Sequence, residues 1–376
     1  MSTPLPRPFR FDGAIVINGL GVLDNPNRLP MQPLPAEGAT RATLVDTVDA
    51  RALHDAKASG LTAFNLTLGP VAGEADPFQA ILSDIADWDA FIRSQPLALR
   101  KVCDATDIAA AQRNGQVGVI YGLQNTTALG GYLDRVQTLA RLGVRVIQLT
   151  YNVRNAVGDG ATVPDDQGLS AFGAEVVERL QRTGVLVDLS HSSERTCLDA
   201  LALARRPMMI SHSGCRAVVD HPRNKSDGEL RLLAACGGVI GIYFMPYLRL
   251  AGQPHAADLI AHLEHAIQVC GEDHVGIGTD GGITPVDDPT AYRRMLQADV
   301  DQRRAAGIGA PGETADVVLY LPDLCGVNQF RRLAELLSAR GHGDSRIAKI
   351  LGGNLARAMA DAWQPLQLPD PEGPIP

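Results

Sequence analysis

The chain has 376 residues and a formal net charge of −8; 45% of its residues are hydrophobic and 20% are charged. Such a composition supplies a large core and argues against a disordered chain, and the acidic balance leaves no basic footprint for nucleic acid. No stretch approaches the roughly 18 consecutive apolar residues of a membrane span, so neither nucleic acid nor a membrane is an expected partner.

The opening MSTPLPRPFRFDG has no apolar signal core and no small-residue cleavage site, and a cytoplasmic location is the expectation. Eight short apolar runs follow: 14–18, 61–68, 117–123, 144–151, 185–190, 207–213, 238–244 and 275–280. They are short and often β-branched, as buried parallel strands are. Helical patterns lie between them, at Ala171–Arg182, Thr196–Ala204, Glu229–Ala235, Ala256–Val269 and Gln329–Ser338. Alternation of this kind predicts an α/β fold, a (β/α)8 TIM barrel in one domain over residues 1–363. A doubly wound sheet is the alternative, but no GxGxxG follows the first run and no Walker loop is present. Residues 281–328, rich in Gly, Pro and Asp, read as an elaborated loop after the eighth strand. Residues 364–376 read as a proline-rich tail. Six scattered cysteines without CxxC spacing read as reduced thiols.

In a barrel, chemistry collects at the C-terminal ends of strands. The fifth run ends in Asp188-Leu189-Ser190-His191 and the sixth in Ser211-His212-Ser213. Two imidazoles at matching ends of adjacent strands can share one divalent metal, or each can simply be bonded to its serine neighbours. Asp280, after the eighth run, can act as a general base, or it can serve as a helix cap or Asx turn. Arg223, in HPRNKSD, can clamp a carboxylate or remain a solvated loop cation. Asp188 reads as a hydrogen-bonding support, and His221 as a loop residue.

GLSAFGAEVVERLQRTGVLVDLSHSSERT (168–196) resembles the membrane dipeptidase (renal dipeptidase, peptidase M19) family. So do RPMMISHSGCRAVVDHPRN (206–224), HVGIGTDGG (274–282) and the C-terminal stretch containing GGNLAR. The resemblance runs over essentially the whole chain. It implies a barrel of the amidohydrolase kind, with two zinc ions that cleave dipeptides, and a dimer. Carried across, it makes His191 and His212 ligands of the second zinc. Arg223 becomes the grip on the substrate's carboxylate, and Asp280 the residue facing the substrate amine and the catalytic water. Asn155 matches the asparagine of a substrate-binding stretch written TYNVRN here.

The departures from the family are equally specific. Its first strand ends D-G-H-N-D, whose His and Asp bind the first zinc; here Leu20 and Val22 stand at those positions. The bridging glutamate is Gln124, and the histidine of a THN stretch is Tyr151, a phenol in place of a possible oxyanion stabiliser. The first zinc site is therefore expected to be absent, leaving at most one zinc or other divalent ion, unless a loop acid such as Asp24 or Asp159 is recruited. Three readings follow. One is a hydrolase for a dipeptide or other small carboxylate-bearing amide, with Asp280 and Tyr151 catalytic and Arg223, Asn155 and Gln124 binding substrate. Another is a metal-independent lyase or isomerase on the same scaffold. The last is a non-catalytic binder of an amino-acid-like ligand.

Overall fold

The computed structural model describes residues 9–28 and 44–366. Nine strands form one parallel sheet: β1 (Ile17–Asn18), β2 (Ala63–Thr67), β3 (Leu99–Lys101), β4 (Val117–Leu123), β5 (Val144–Gln148), β6 (Leu186–Asp188), β7 (Met209–Ser213), β8 (Val239–Ile242) and β9 (Val275–Ile277). Their order is β1-β2-β4-β5-β6-β7-β8-β9, with β3 beside the first half of β4. The ends of the sheet meet: Gly19 donates to the Ile277 carbonyl at 2.8 Å and Asp280 to the Leu20 carbonyl at 2.9 Å. The result is the expected eight-stranded barrel, with the short β3 added. The strand β3 escapes the sequence reading because its three residues, LRK, carry no apolar run.

Inward-facing Ile17, Ala63, Ile120, Val146, Leu186, Met209 and Val239 pack with Leu355, Ala358 and Met359 of the helix Asn354–Ala362 in one apolar cluster. That cluster fills the N-terminal half of the barrel. Toward the strands' C-terminal ends the lining turns polar, with buried Asn65, Gln148, Asp188 and Ser211. Polar groups converge there because parallel strands present every C-terminal end to one mouth.

One close approach makes closure possible. Gly19, Gly241 and Gly278, from three strands, all lie against the Ser211 carbonyl oxygen. A Cβ at Gly278 would overlap that oxygen, which is backbone and cannot rotate away. Gly278→Ala is expected to destabilise the fold by roughly 3 kcal/mol or more, read as a shift of the urea midpoint. An unchanged midpoint would mean that the barrel tolerates a wider centre.

The region 281–328 is more ordered than its composition suggests. It contains the helix Pro289–Ala305, started by Asp288, which accepts from the backbone of Thr290 and Ala291, with Pro289 at the first turn. The helix is polar almost all round, burying only Leu296 and Val300, so its periodicity is faint. Asp288-Pro289 is the start signal that composition masked. Among the described residues no helix is long and apolar enough to cross a membrane. All six cysteines are free. Most of the predicted tail, from residue 367 on, lies outside the described residues.

Candidate active site

One cavity opens at the strands' C-terminal ends, with an empty volume of about 750 Å3 counted to its open mouth. Its wall carries Gln124, Tyr151, His191, Arg223 and Asp280, which come from five different strand–loop junctions. The helix Pro289–Ala305 covers it and adds Leu296, Val300 and Arg303.

His191 and His212 do meet. Their Nε2 atoms are 2.8 Å apart. Asn152 sets the tautomer of His191: its Nδ2 donates to the Ile308 carbonyl, so its Oδ1, 2.7 Å from His191 Nδ1, must accept the Nδ1 proton. His191 Nε2 is then a bare lone pair. His212 Nδ1 lies 2.8 Å from Ser211 Oγ, and Ser211 Oγ lies 2.5 Å from Asp188 Oδ2. Desolvation, reinforced by the nearby Arg223, holds both imidazoles well below the usual histidine range, so both are neutral. If Asp188 is protonated, protons run Asp188→Ser211→His212→His191 and the pair is satisfied. If Asp188 is ionised, Ser211 donates to it, and two Nε2 lone pairs face each other across the space a cation would fill. Burial raises the Asp188 pKa, against the four hydrogen bonds it accepts from Ser190 and Ser211.

Asp280 is the one non-glycine residue with positive φ among the described residues, at 55°. The left-handed turn follows β9 directly and places its carboxylate in the cavity wall. Burial lifts its pKa from 3.8 to about 6, the rise being limited by Arg223 and Arg303. Arg223 is 2% exposed and donates through Nη1 to the Ser190 carbonyl at 2.5 Å. Arg223 also lines the cavity.

Tyr151 stacks on His191, with ring centroids 4.2 Å apart. Arg303 Nη1 donates to Tyr151 Oη at 2.8 Å, so the phenol proton remains free to be donated. Burial raises the Tyr151 pKa and keeps that proton in place, despite the opposing effect of Arg303. Arg303 is itself held in a two-point pair with Glu313, at 3.0 and 2.8 Å. Burial alone would raise the Glu313 carboxyl, but Arg303 overcomes it and holds Glu313 below its usual range. Sequence reasoning missed both residues. They sit in the region read as irregular, where Arg-Arg and Gly-Glu-Thr look like solvated surface.

Three expected residues, Asn155, Asp159 and Asp24, lie outside the cavity wall. Asn155 is engaged by its own loop: Nδ2 donates to Asn125, Thr126 and the Leu149 carbonyl, and Oδ1 accepts from Val157 and Gly158. Its neighbour Asn152 is the one that reaches His191. Gln124 lines the cavity, with Nε2 committed to Thr67 Oγ1 at 2.7 Å. Asp159 is engaged by its own loop: its carboxylate pairs with Arg154 and accepts the Gln167 amide at 2.6 Å. Asp24 borders a second chamber and does not line the one that holds His191.

A model of the membrane dipeptidase family, peptidase family M19, matches residues 16–303. The chain belongs to this family. An uncharacterised dipeptidase of Schizosaccharomyces pombe is 36% identical over 190 residues, 48% of this chain and 45% of the relative. Dipeptidase verJ of Clonostachys rogersoniana is 36% identical over 170 residues, 45% of this chain and 44% of that one. The matches thus span a little under half the length of these curated relatives. An amidohydrolase from Pseudomonas aeruginosa superimposes with a TM-score of 0.77 at 28% identity, covering 94% of this chain and 98% of the other. A metallopeptidase from Rhodobacter sphaeroides, liganded with a phosphinate mimic of L-Ala-D-Ala, shares the fold with a TM-score of 0.70 at 19% identity, over 94% of this chain and 100% of that one. In this member of the membrane dipeptidase family, two aliphatic side chains, Leu20 and Val22, follow the first strand. Leu20 is buried, and Val22 lines the second chamber.

Proposed function

We propose that the chain is a dipeptidase-like hydrolase for a small amide bearing a carboxylate, with a metal complement reduced to one divalent ion at most. One observation carries the reading: Asp280, Arg223 and Tyr151 line a single cavity, with a base poised at about pH 6, a buried cation and a free phenol proton.

The donor set argues for the reduced metal complement. The first position would rest on Leu20, Val22 and Gln124, two hydrocarbons and a neutral amide, which do not fit a dication. Among the described residues no group of three or more His, Cys, Asp and Glu side chains is placed to hold a metal. His191 and His212 alone offer two donors where zinc takes three or four. Tetrahedral coordination would also require their Nε2 atoms to part from 2.8 Å to about 3.3 Å.

The chain's own groups can carry hydrolysis as follows. Arg223 holds the substrate carboxylate through charge-assisted hydrogen bonds. Ionised Asp280 takes a proton from water as the water oxygen bonds to the carbonyl carbon. Tyr151 donates its O–H to the oxygen on which negative charge develops. As the C–N bond breaks, Asp280 returns the proton to the leaving nitrogen. The same Asp280, Tyr151 and histidine pair would also suit metal-independent acid–base chemistry. The hydrogen-bonded histidine pair, complete without an ion when Asp188 is protonated, favours that second reading.

Two variants test these roles. Arg223→Lys replaces the planar fork by a point charge and is expected to weaken binding of Gly-D-Ala at least about 30-fold by calorimetry. Equal affinity would remove Arg223 from recognition. Tyr151→Phe is expected to lower kcat roughly 100-fold with little change in KM, because the lost bond forms only with the developing charge. A change confined to KM would make Tyr151 a ground-state contact.

A further inference from the structure

A second chamber adjoins the first and shares Asp280 and Leu319 with it. Its empty volume is about 810 Å3, similar to the first. The two differ in chemistry. The first is walled by arginines, acids and histidine. The second is walled mostly by hydrocarbon and aromatic surface from Val22, Val286, Tyr292, Met295 and Tyr320, with two carboxylates, Asp24 and the shared Asp280. Among the described residues Asp24 accepts from its own backbone amide and from no other side chain, and burial raises its pKa against that bond.

Two of these residues belong to the same altered segment. Val22 stands where the family's first strand carries a metal-binding aspartate, so one substitution both removes a ligand and supplies apolar wall. Asp24 is half-buried beside this apolar wall, and a cationic group entering the chamber would meet its carboxylate. A chamber that opens on the catalytic acid is reached by the part of a ligand lying beyond the scissile bond from Arg223.

We propose that the second chamber is the acyl-side subsite, which selects substrates whose amine-side residue carries a large apolar side chain, with its ammonium group toward Asp24 and Asp280. This rests on the reading of Arg223 as the carboxylate grip. It assigns the substrate's two ends to two chambers: a small carboxylate-bearing residue in the polar one and a Leu- or Phe-sized residue in the apolar one.

Reduced-amide dipeptide analogues, which keep both termini but cannot be hydrolysed, test this by calorimetry on the full chain. With D-Ala fixed at the carboxyl end, changing the amine-side residue from Gly to Phe is expected to tighten binding roughly 10- to 100-fold, as burial of a phenyl ring implies. Met295→Trp, on a helix that carries no barrel strand, should fill the chamber and reduce the difference to less than about 3-fold while leaving the Gly analogue's affinity unchanged. Arg223→Lys should weaken both analogues by the same factor. If Arg223→Lys weakens neither, the carboxylate reading fails. If it weakens both but the Phe analogue binds no tighter than the Gly analogue, or Met295→Trp leaves the difference intact, the subsite is overturned.

Discussion

Asp280→Asn is expected to abolish hydrolysis, lowering kcat/KM by roughly a thousandfold, the scale of a lost general base. The wild-type rate should fall as pH drops through about 6, because the base must be ionised and burial has moved its pKa there from 3.8. The variant should lack that limb. Asparagine is the informative replacement, since it tolerates the left-handed backbone that Asp280 occupies at φ 55°. Alanine would add backbone strain to the loss. The same shift makes a stability prediction of opposite direction. A carboxyl with a raised folded pKa binds its proton more tightly in the folded than in the unfolded chain. Stability is therefore fully present below 3.8 and declines as pH rises toward about 6. At pH 7 the cost amounts to up to about 3 kcal/mol. Asp280→Asn should thus melt above wild type at pH 7 and match it near pH 4. An active variant, or one that is equally stable at both pH values, would remove Asp280 from the chemistry or from its buried setting.

Much of this site could be read from the sequence, and the limits have physical causes. The barrel was legible because each strand end combines an apolar run with a break: Asp188-Leu189-Ser190-His191 and Ser211-His212-Ser213 look alike because they do the same thing on adjacent strands. Asp280 and Arg223 stood out as charged residues beyond apolar strand ends, and both reach the cavity wall. Asn152 and Asn155 could not be told apart, since both are asparagines in one loop and only the fold shows which one meets His191. Arg303 and Glu313 were invisible for a different reason. The helix of Arg303 buries little, so its periodicity is weak, Glu313 lies in the loop beyond it, and an ion pair separated by ten residues leaves no local pattern. The role of Ser211 as a relay between Asp188 and His212 depends on β6 and β7 being neighbours, which only pairing reveals.

The second large effect concerns the metal. Restoring the family's first-strand and bridging side chains in the triple variant Leu20→His/Val22→Asp/Gln124→Glu should add about one zinc ion per chain to whatever the wild type holds. The wild-type positions give a dication nothing anionic to bind, whereas the variant supplies an imidazole and two carboxylates beside Asp280. The added ion binds only the folded state. Zinc at a hundred times its dissociation constant should therefore stabilise the variant by about 2.7 kcal/mol more than wild type. Thermal melts with and without zinc read this directly. A variant that gains neither an ion nor stability would show that the first strand no longer faces the old metal position.

The proposed loss of the paired-metal centre stands or falls on a count. Elemental analysis of the wild-type chain, saturated with zinc and then freed of excess by gel filtration, measures it most directly. At most one zinc ion per chain is expected. Two ions per chain would contradict it.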